Sequence, residues 1–550
     1  MKNVKWLMAV LMTVVLLIAG CSSNSNQNAE SSESGASSSA SQSPASAEAS
    51  KGEPTKITIF SQFMPADELD GGYYTKFIED KFNIKIEWNA ASRETFEEKK
   101  KLVMASGDYP DIFLGENFFT TNEQALYGSQ GILEPLNDLI EKYGTNIKTR
   151  VLAAEPDFLK MNTSPDGNIY GLGSLDQCYS CKYTMRLWIN TVWLDNLGLK
   201  MPTTTEEYYQ VLKAFKEKDP NGNGKQDEIP LSGTEKSWNA HVDGFLMNSF
   251  IYNEPWTYMS INNKKFEFVG DKPQWKEGLK YLNRLYEEGL LDKNAFIQDG
   301  DALGQLGMYP DVAILGSFPH GVQYGVVWPD DQGSERYKEY QVVPPLKGPD
   351  GVQLAYQIPG GISNSNFSIS ASSPHKELAM QIADYFYSEE GTIGMQWGRE
   401  GIDWKKAEAD QKGYDGNPAA YVILPTEGAS WENMGPRMMT EEMLNSIAVP
   451  QDPNAPEGAD LKWFQAAQLY EPYAPEEVLQ PMYIEPEERN EMVQIQTDLR
   501  RYVKESMVKF ILGDWNFDSD WDNYLAKLSS FKVDRYLDIN QRALDLLHSK

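Results

Sequence analysis

Two hydrophobic periods alternate over residues 56–115, and this alternation is the strongest limit on what the chain can fold into. Short runs of β-branched or apolar residues predict three strands, at 56–61 (KITIFS), 84–90 (IKIEWNA) and 110–115 (PDIFLG). Helical patterns at 66–82 and 95–105 lie between them. Strands that alternate with helices in this way predict an α/β fold with a parallel sheet.

Two loops follow predicted strands of this sheet, at 61–67 (SQFMPAD) and 115–119 (GENFF). In open parallel sheets, ligands bind at the carboxyl ends of the strands. Both loops are therefore candidate edges of a ligand site.

The first twenty residues predict export. Lys2 and Lys5 introduce an apolar run of 15 residues at 6–20, which is shorter than the about 20 residues that a membrane-spanning helix needs. The pattern indicates a signal peptide at 1–20. The residues 17-LIAG-20 before Cys21 resemble the bacterial lipobox, in which the cysteine becomes the lipid-modified first residue. We therefore expect a lipid anchor at Cys21 on the extracellular face of the cell membrane; an ordinary signal with a chance cysteine is the alternative.

A serine-rich segment separates this anchor from the rest of the chain. Residues 22–50 contain 13 serines and no aromatic or large aliphatic side chain, so they cannot bury enough apolar surface to offset their ordering entropy. We expect a flexible tether over 21–53. The body after it, about residues 54–550, is too long for one compact core and suggests at least two lobes.

The formal net charge of the chain is −30. Such an acidic chain is a poor partner for nucleic acid and for anionic surfaces. The charge does not select a ligand.

Cysteine and histidine are both scarce. Besides Cys21 the chain has only Cys178 and Cys181, and export makes a disulfide between them plausible. A catalytic redox pair would follow a strand and start a helix, whereas a turn at 165–173 precedes these cysteines. The four histidines are dispersed and show no zinc spacing.

The loop 219-DPNGNGKQDEIP-230 has oxygen-bearing side chains at alternate positions. An EF-hand loop uses positions 1, 3, 5, 7, 9 and 12. Position 12 is Pro230, so a neighbouring acid must replace the usual glutamate. The candidate Ca²⁺ ligands are Asp219, Asn221, Asn223, the carbonyl of Lys225, Asp227 and Glu228. The residues 229–233 after the loop are typical of a strand rather than of a sensor's second helix, so we expect a structural ion; a solvated Asn-Gly turn is the alternative.

Several stretches in sequence order carry a family resemblance. They are 100–115 (KKLVMASGDYPDIFLG), 131–144 (GILEPLNDLIEKYG), 164–173 (SPDGNIYGLG), 186–216, 368–392, 396–404 (QWGREGIDW) and 509–528. Together they resemble the extracellular solute-binding proteins, family 1, of ABC importers. The resemblance extends in particular to oligosaccharide-binding lipoproteins of Gram-positive bacteria and to alginate-oligosaccharide-binding proteins, which carry a similar acidic loop.

The resemblance implies a two-lobed, periplasmic-binding-protein-like fold of class II, with a hinge and a ligand cleft between the lobes. It places crossings of the chain between lobes near residues 182, 364 and 400. Lobe 1 would then comprise 54–182 and 364–400, and lobe 2 would comprise 183–363 and 401–550. Lobe closure around the ligand is a known switching mode of such proteins.

Sugar recognition needs flat aromatic faces for the ring and planar polar side chains for its hydroxyls. Aromatic residues beside glycine or polar residues in loops are the best candidates. The candidate ligand contacts are Trp397, Glu400, Trp404, Phe318, Trp238, Asn239, Tyr170, Gln177 and Arg186. A core or surface role is the competing interpretation for each.

The sequence thus predicts a monomeric lipoprotein that captures a carbohydrate and delivers it to the permease subunits of an ABC importer. It would not be an enzyme and would hold no nucleotide. A binding lipoprotein for a peptide or polyamine is one alternative. A polysaccharide hydrolase is another, because 80 acidic residues neither locate nor exclude the required carboxylate pair. A repeat-built adhesion scaffold is disfavoured because the chain has no internal repeat.

Overall fold

The computed structural model describes residues 52–549, with gaps at 63–65, 93–94, 330–334, 364, 426–430, 456–457 and 481. The predicted signal peptide, Cys21 and nearly all of the predicted tether lie outside the described residues. Residues 52–550 form one compact unit in the chain. Among the helices in the described ranges, none is both long and apolar enough to cross a membrane.

Fourteen strands occur in the described residues, most of them short. They are β1 Thr55–Gln62, β2 Ile84–Ala91, β3 Ile112–Leu114, β4 Leu175–Asp176, β5 Leu187–Asn190, β6 Met259–Asn262, β7 Lys265–Phe268, β8 Ser317–Pro319, β9 Tyr340–Val343, β10 Gly361–Ile362, β11 Phe367–Ile369, β12 Trp404–Lys406, β13 Tyr421–Ile423 and β14 Met438–Met439.

The same part of the chain contains nineteen α-helices. They are α1 Ala66–Gly71, α2 Tyr73–Phe82, α3 Phe96–Ser106, α4 Thr121–Ser129, α5 Asn137–Tyr143, α6 Leu152–Ala154, α7 Phe158–Met161, α8 Thr191–Asn196, α9 Thr205–Glu217, α10 Val242–Leu246, α11 Pro273–Glu287, α12 Gly300–Gly307, α13 Lys376–Phe386, α14 Glu389–Gln396, α15 Glu441–Asn445, α16 Ala459–Tyr470, α17 Pro486–Leu512, α18 Trp521–Ser529 and α19 Val533–Ser549.

The first sheet has the strand order β11-β3-β1-β2. Strand β1 runs parallel to both β2 and β3, which confirms the parallel α/β pattern predicted for residues 56–115. The Asp111 carboxylate accepts hydrogen bonds from Thr58 N (2.8 Å) and from Ser373 Oγ (2.6 Å), so it ties β1 to the segment after β11. The predicted helix at 66–82 is divided into α1 and α2 because the backbone of Gly72 is extended.

Two large apolar cores divide the body into two lobes. The first core joins β1, β2, β3 and β11 to α2, α5 and α13. The second joins β5 to α9, α11, α17, α18 and α19. A chain of this length buries its apolar surface in separate cores because a single core stops growing at about 250–300 residues. The described fold is therefore the two-lobed α/β class that the sequence predicts.

A three-stranded sheet contributes Leu175, Ile362 and Met438 to the first core. Strand β4 lies between β10, which is antiparallel to it, and β14, which is parallel to it. Leu175 N donates to Arg437 O at 2.8 Å, and Arg437 Nη2 lies 2.9 Å from the Asp176 carboxylate. A disulfide joins Cys178 to Cys181 directly after β4. We call β10, β4 and β14 the hinge sheet.

Residues after the predicted third crossing at residue 400 still contribute side chains to the first core. Trp431, Met434 and Met438 all pack in the first core, although the sequence prediction assigns 401–550 to the second lobe. Within 401–438, Tyr414 contacts the second core, and the buried residues of the second core resume at Phe464, after β14. The limits of the lobes remain a prediction, and these contacts favour a last crossing after residue 438.

Candidate ligand-binding surface and calcium loop

Arg186 is fully buried at 0% exposure in the second lobe, immediately before β5. Its Nη1 donates to Gly321 O at 2.6 Å and its Nη2 donates to Ser180 O at 2.7 Å. Burial lowers the pKa of this guanidinium to about 9, so it stays cationic at neutral pH. Its Nε has no hydrogen-bond partner in the described part of the chain. Arg186 thus fixes two loops and keeps one donor unused.

Aromatic side chains lie around this guanidinium. The Trp463 ring lies 5.5 Å from Arg186 Cζ. Trp238 is 50% exposed and Tyr324 is 40% exposed. The Trp238 ring covers Gly321, where an added Cβ would come within 2.3 Å of it. Glycine at 321 therefore permits the close contact between this ring and the loop that Arg186 holds.

The Tyr324 hydroxyl belongs to a group of polar side chains. Burial and then the negative charge of Asp460 raise the pKa of Tyr324, whereas Arg186 lowers it. The same two causes raise the pKa of Tyr414. Both phenols are therefore protonated at physiological pH and able to donate as well as accept hydrogen bonds.

Gln323 precedes Tyr324 and is only 2% exposed. Both atoms of its side-chain amide lack a hydrogen-bond partner among the described residues. A buried polar group left unpaired costs about 1–3 kcal/mol, so each case needs an explanation such as a bound polar group. We define Arg186, Trp238, Gln323, Tyr324 and Trp463 as the Arg186 surface. It combines the exposed rings of Trp238 and Tyr324 with the buried, unpaired polar atoms of Arg186 and Gln323.

A cavity of about 780 Å³ lies beside this surface, lined among others by Ser237, Gln305 and Trp328. Ser237 Oγ is 3.3 Å from His320 Nε2, so the cavity adjoins the loop that carries Gly321. A space of this size fits the range of small-molecule sites, about 300–1,000 Å³.

The predicted edges of the first lobe are only partly described. Ser61 Oγ and Gln62 Oε1, at the carboxyl end of β1, are buried without partners in the described ranges. Residues 63–65 of the predicted loop 61–67 lie outside the described residues. In the loop 115–119, Phe118 and Phe119 are fully buried in a small core and offer no face to a ligand.

The structure brings some of the predicted ligand residues together on the second lobe. Trp238 and Arg186 both contact the loop that follows β8. Asn239 is 4% exposed and adopts a left-handed backbone with φ 51°. Phe318 is 0% exposed, with its ring 5.3 Å from that of Tyr340, so it packs in the core and presents no stacking face here.

Two further predicted residues lie elsewhere. Tyr170 is 3% exposed and its hydroxyl donates to the Asp166 carboxylate at 2.6 Å, which gives it a local structural role. Gln177 follows β4 in the hinge sheet, where its Oε1 accepts from Glu441 N at 3.3 Å. Neither contact connects these residues to the Arg186 surface.

The predicted cluster at 397–404 forms a separate site. Trp404 is 8% exposed and donates from Nε1 to Gly398 O at 3.2 Å, while the Trp397 ring lies 5.1 Å from that of Tyr421. A cavity of about 510 Å³ there is lined by Trp404 and the exposed Glu400, together with Tyr73 of α2. We call this space the Trp404 cavity. It remains a second candidate ligand site.

Sequence reasoning missed Gln323, Tyr324 and Trp463. Gln323 and Tyr324 lie between two glycines in 321-GVQYG-325, so the criterion of aromatic residues beside glycine and polar residues would have found Tyr324. Trp463 lies in α16, and an aromatic residue in a helix is usually assigned to a core. Its place beside Arg186 depends on tertiary contacts that no local pattern shows.

The acidic loop after α9 is folded around its own oxygens. Asp219 has a left-handed backbone with φ 47°, and its carboxylate accepts from Asn223 N and Gly224 N at 3.1 and 2.9 Å. The Asp227 carboxylate accepts from Asn223 Nδ2 at 3.0 Å. In place of the predicted strand at 229–233, the structure has two isolated bridges, one from Ile229 and one from Leu231.

Glu228 tests whether the loop fits a cation. Its Oε1 is buried and has no hydrogen-bond partner among the described residues. Burial, and then the charges of Asp219 and Asp227, raise the pKa of Glu228. Three carboxylates therefore repel one another around an unused oxygen, and a hard cation with oxygen ligands would relieve this repulsion. The donor set fits Ca²⁺.

The chain belongs to the family of bacterial extracellular solute-binding proteins, whose model matches residues 65–393. It is similar to the fructooligosaccharide ABC transporter substrate-binding protein FusA of Streptococcus pneumoniae serotype 4. The identity is 28% over 489 residues, which cover 85% of this chain and 86% of that protein.

Solved structures of similar fold include FusA in complex with kestose, with a TM-score of 0.73 and 24% identity over 90% of this chain and 100% of that chain. An EF-hand mutant of FusA in complex with fructo-nystose has the same TM-score and coverage at 25% identity. Alginate-binding protein AlgQ2 without calcium ion has a TM-score of 0.63 and 21% identity over 90% of this chain and 98% of that chain. The predicted family and two-lobed fold are thus confirmed.

His320 makes the stability of the folded protein depend on pH. It is 5% exposed, and burial lowers its pKa to about 4 from the ordinary 6.5. Because the folded-state pKa is below the unfolded-state value, protons bind more readily to the unfolded chain. Stability contributed by neutral His320 is present above pH 6.5 and is lost as the pH falls from 6.5 to 4, by up to roughly 3 kcal/mol.

We therefore expect the melting temperature to fall less between pH 7 and pH 4.5 in His320→Gln than in the wild type. His375→Gln is the matched control for loss of a histidine. An equal fall in the wild type and in His320→Gln would contradict this account.

Proposed function

We propose that this chain is the substrate-binding lipoprotein of an ABC importer and that it holds an oligosaccharide on the Arg186 surface. The observation that carries the proposal is the pair of exposed rings, Trp238 against Gly321 and Tyr324 three residues later, in a segment that also holds the buried, unpaired amide of Gln323. A sugar ring presents an apolar face and a polar edge, which these two kinds of group complement. The likeness to a fructooligosaccharide-binding protein supports this ligand class.

The charge at the surface favours a neutral or acidic sugar over a polyamine. Arg186 is buried and cationic, and its Nε is free of partners within the described chain. A cationic ligand placed beside a buried guanidinium would be repelled strongly because little solvent screens the pair. A hydrolase, the other alternative, would release products from the sugar, so the binding experiment below includes that readout.

The two-lobed fold would also account for delivery of the ligand to the permease. Closure of the lobes about the hinge sheet would enclose the ligand and present a surface to the permease. Separate subunits of the importer would hydrolyse ATP. A monomeric state stays a prediction.

The first test measures binding of kestose and larger oligosaccharides to residues 51–550 by isothermal titration calorimetry. Tyr324→Ala removes a 40% exposed ring and should weaken binding at least tenfold without lowering the melting temperature, because burying an aromatic side chain contributes roughly 1.5–3 kcal/mol. Tyr73→Ala, in the Trp404 cavity, is the matched control and should bind as the wild type does.

Weaker binding in Tyr73→Ala alone would move the ligand to the Trp404 cavity. Binding of peptides or polyamines, with none of the sugars, would overturn the ligand class. Chromatography of the incubated sugar should show no smaller products, and their appearance would favour the hydrolase.

We also propose that the loop 219–228 holds a structural Ca²⁺. The ligands would be the side chains of Asp219, Asn221, Asn223, Asp227 and Glu228 with the carbonyl of Lys225. The unpaired Glu228 oxygen supports this site. The EF-hand mutant made in FusA adds support, because it indicates such a loop in that relative.

EDTA should lower the melting temperature of the wild type, and excess Ca²⁺ should restore it. Glu228→Gln should show no response to either, because the neutral amide removes one charged ligand. Asp415→Asn is the matched control, since Asp415 caps another exposed turn by accepting from Asn417 N at 2.9 Å. A wild type indifferent to EDTA, or full Ca²⁺ affinity in Glu228→Gln, would refute the site.

We further propose that Cys21, outside the described residues, carries the lipid anchor on the extracellular face of the cell membrane. The apolar run at 6–20 and the lipobox-like LIAG before Cys21 support the anchor. Cys21→Ser should transfer the protein from the membrane fraction to the medium, whereas Ser22→Ala should not. Retention of Cys21→Ser in the membrane would contradict the anchor.

A further inference from the structure

Glu235, His241 and Asp243 come together in the second lobe, at the start of α10. One ligand atom from each lies within 4.8 Å of the other two. His241 Nδ1 is 2.7 Å from Glu235 Oε2. These residues belong neither to the loop 219–228 nor to the Arg186 surface, and the sequence showed no zinc spacing around His241.

Unused oxygen atoms line this cluster. Asp243 is 2% exposed and Asn253 is 0% exposed, and Oδ1 of each lacks a hydrogen-bond partner among the described residues. Asn253 Nδ2 donates to Asp243 Oδ2 at 3.3 Å, which places the two side chains in contact. Asp243 Oδ1 is thus a buried, unpaired oxygen of the cluster itself, and such an atom is expensive unless something binds it.

A lysine side chain also contacts the cluster. Lys504 Nζ of α17 lies 2.5 Å from Glu235 Oε2. The Lys504 side chain is 34% exposed and has a flexible stem, so it can turn to solvent when another cation enters.

We propose that Glu235, His241 and Asp243 form a site for a divalent transition-metal ion such as Zn²⁺, and that the Lys504 ammonium leaves when the ion binds. One imidazole and two carboxylates suit zinc, whereas calcium takes oxygen ligands only. In a tetrahedral zinc site the ligand atoms lie about 3.5 Å apart, so this cluster needs only small side-chain shifts. Asn253 Oδ1 or water completes the coordination.

Such an ion would join Glu235, which precedes Trp238 in the sequence, to His241 and Asp243, which follow it. The three ligands bracket the loop that presents this ring at the Arg186 surface. Metal binding would therefore order one wall of the ligand site. This consequence rests on the proposed function, but the metal site does not, and its test contains no sugar.

The test uses metal-stripped residues 51–550 with excess Ca²⁺, so that the loop 219–228 is saturated. Zn²⁺ affinity is measured by competition with a chromogenic chelator. We expect one equivalent to bind, and His241→Gln to weaken it at least tenfold. His548→Gln is the matched control, because His548 also pairs with a carboxylate, Glu477, at 2.8 Å, but on the surface. It should bind Zn²⁺ as the wild type does.

The variant Lys504→Met distinguishes two possibilities. Either a metal ion displaces the Lys504 ammonium, or this ammonium is the permanent cation of the cluster. Removing the competing ammonium should tighten Zn²⁺ at least threefold if the site is real. Absence of Zn²⁺ binding in both the wild type and Lys504→Met would overturn the proposal. Unchanged affinity in a folded His241→Gln, checked by circular dichroism, would also overturn it, because the bound ion would then lie elsewhere. If His241→Gln fails to fold, the Lys504→Met result decides.

Discussion

The hinge sheet is the constraint on which the rest of the structure depends. Three passes of the chain meet at β4, and backbone hydrogen bonds such as Leu175 N to Arg437 O hold them in register. The Arg437 side chain, only 7% exposed, pairs with Asp176 across the same strands. Asp176 is 35% exposed, so the destabilising change is its removal, which would leave the buried Arg437 charge without this partner. These few residues hold together segments that are far apart in the chain.

Unpaired buried polar atoms recur in the described part of the second lobe. Those at the three proposed sites are the amide of Gln323, the carboxylate of Glu228, and Oδ1 of Asp243 and of Asn253. Folding alone gives no reason to leave them unpaired, since each costs about 1–3 kcal/mol. Bound groups that complete them would return that stability to the complex, so ligand and ions would each support the lobe. The three sites differ in chemistry. The Arg186 surface has a planar amide and a guanidinium, the loop 219–228 has oxygen ligands only, and the cluster of Glu235, His241 and Asp243 has an imidazole with carboxylates.

Much of the fold was predictable because it rests on local periodicity. The patterns at 56–61 and 84–90 became β1 and β2 with the expected parallel pairing. The ligand contacts were less predictable. Phe318 follows the same rule of an aromatic in a glycine-flanked loop as Tyr324, yet Phe318 is buried against Tyr340 and Tyr324 is exposed. Phe318 lies in β8 and pairs with Trp188 of β5, whereas Tyr324 lies in a 3-10 helix after this strand, and one-dimensional spacing does not distinguish the two.

The sequence by itself determined the export pattern, the α/β class, the family resemblance and the contiguous acidic loop, because each depends on residues close together in the chain. Only the tertiary structure decided which polar groups meet across long separations. Arg186 binds the carbonyl of Gly321, 135 residues away, and Lys504 of α17 contacts Glu235 in the segment before α10. Burial gives these contacts their energetic importance, because the removal of water strengthens charge interactions and makes unpaired polar atoms costly.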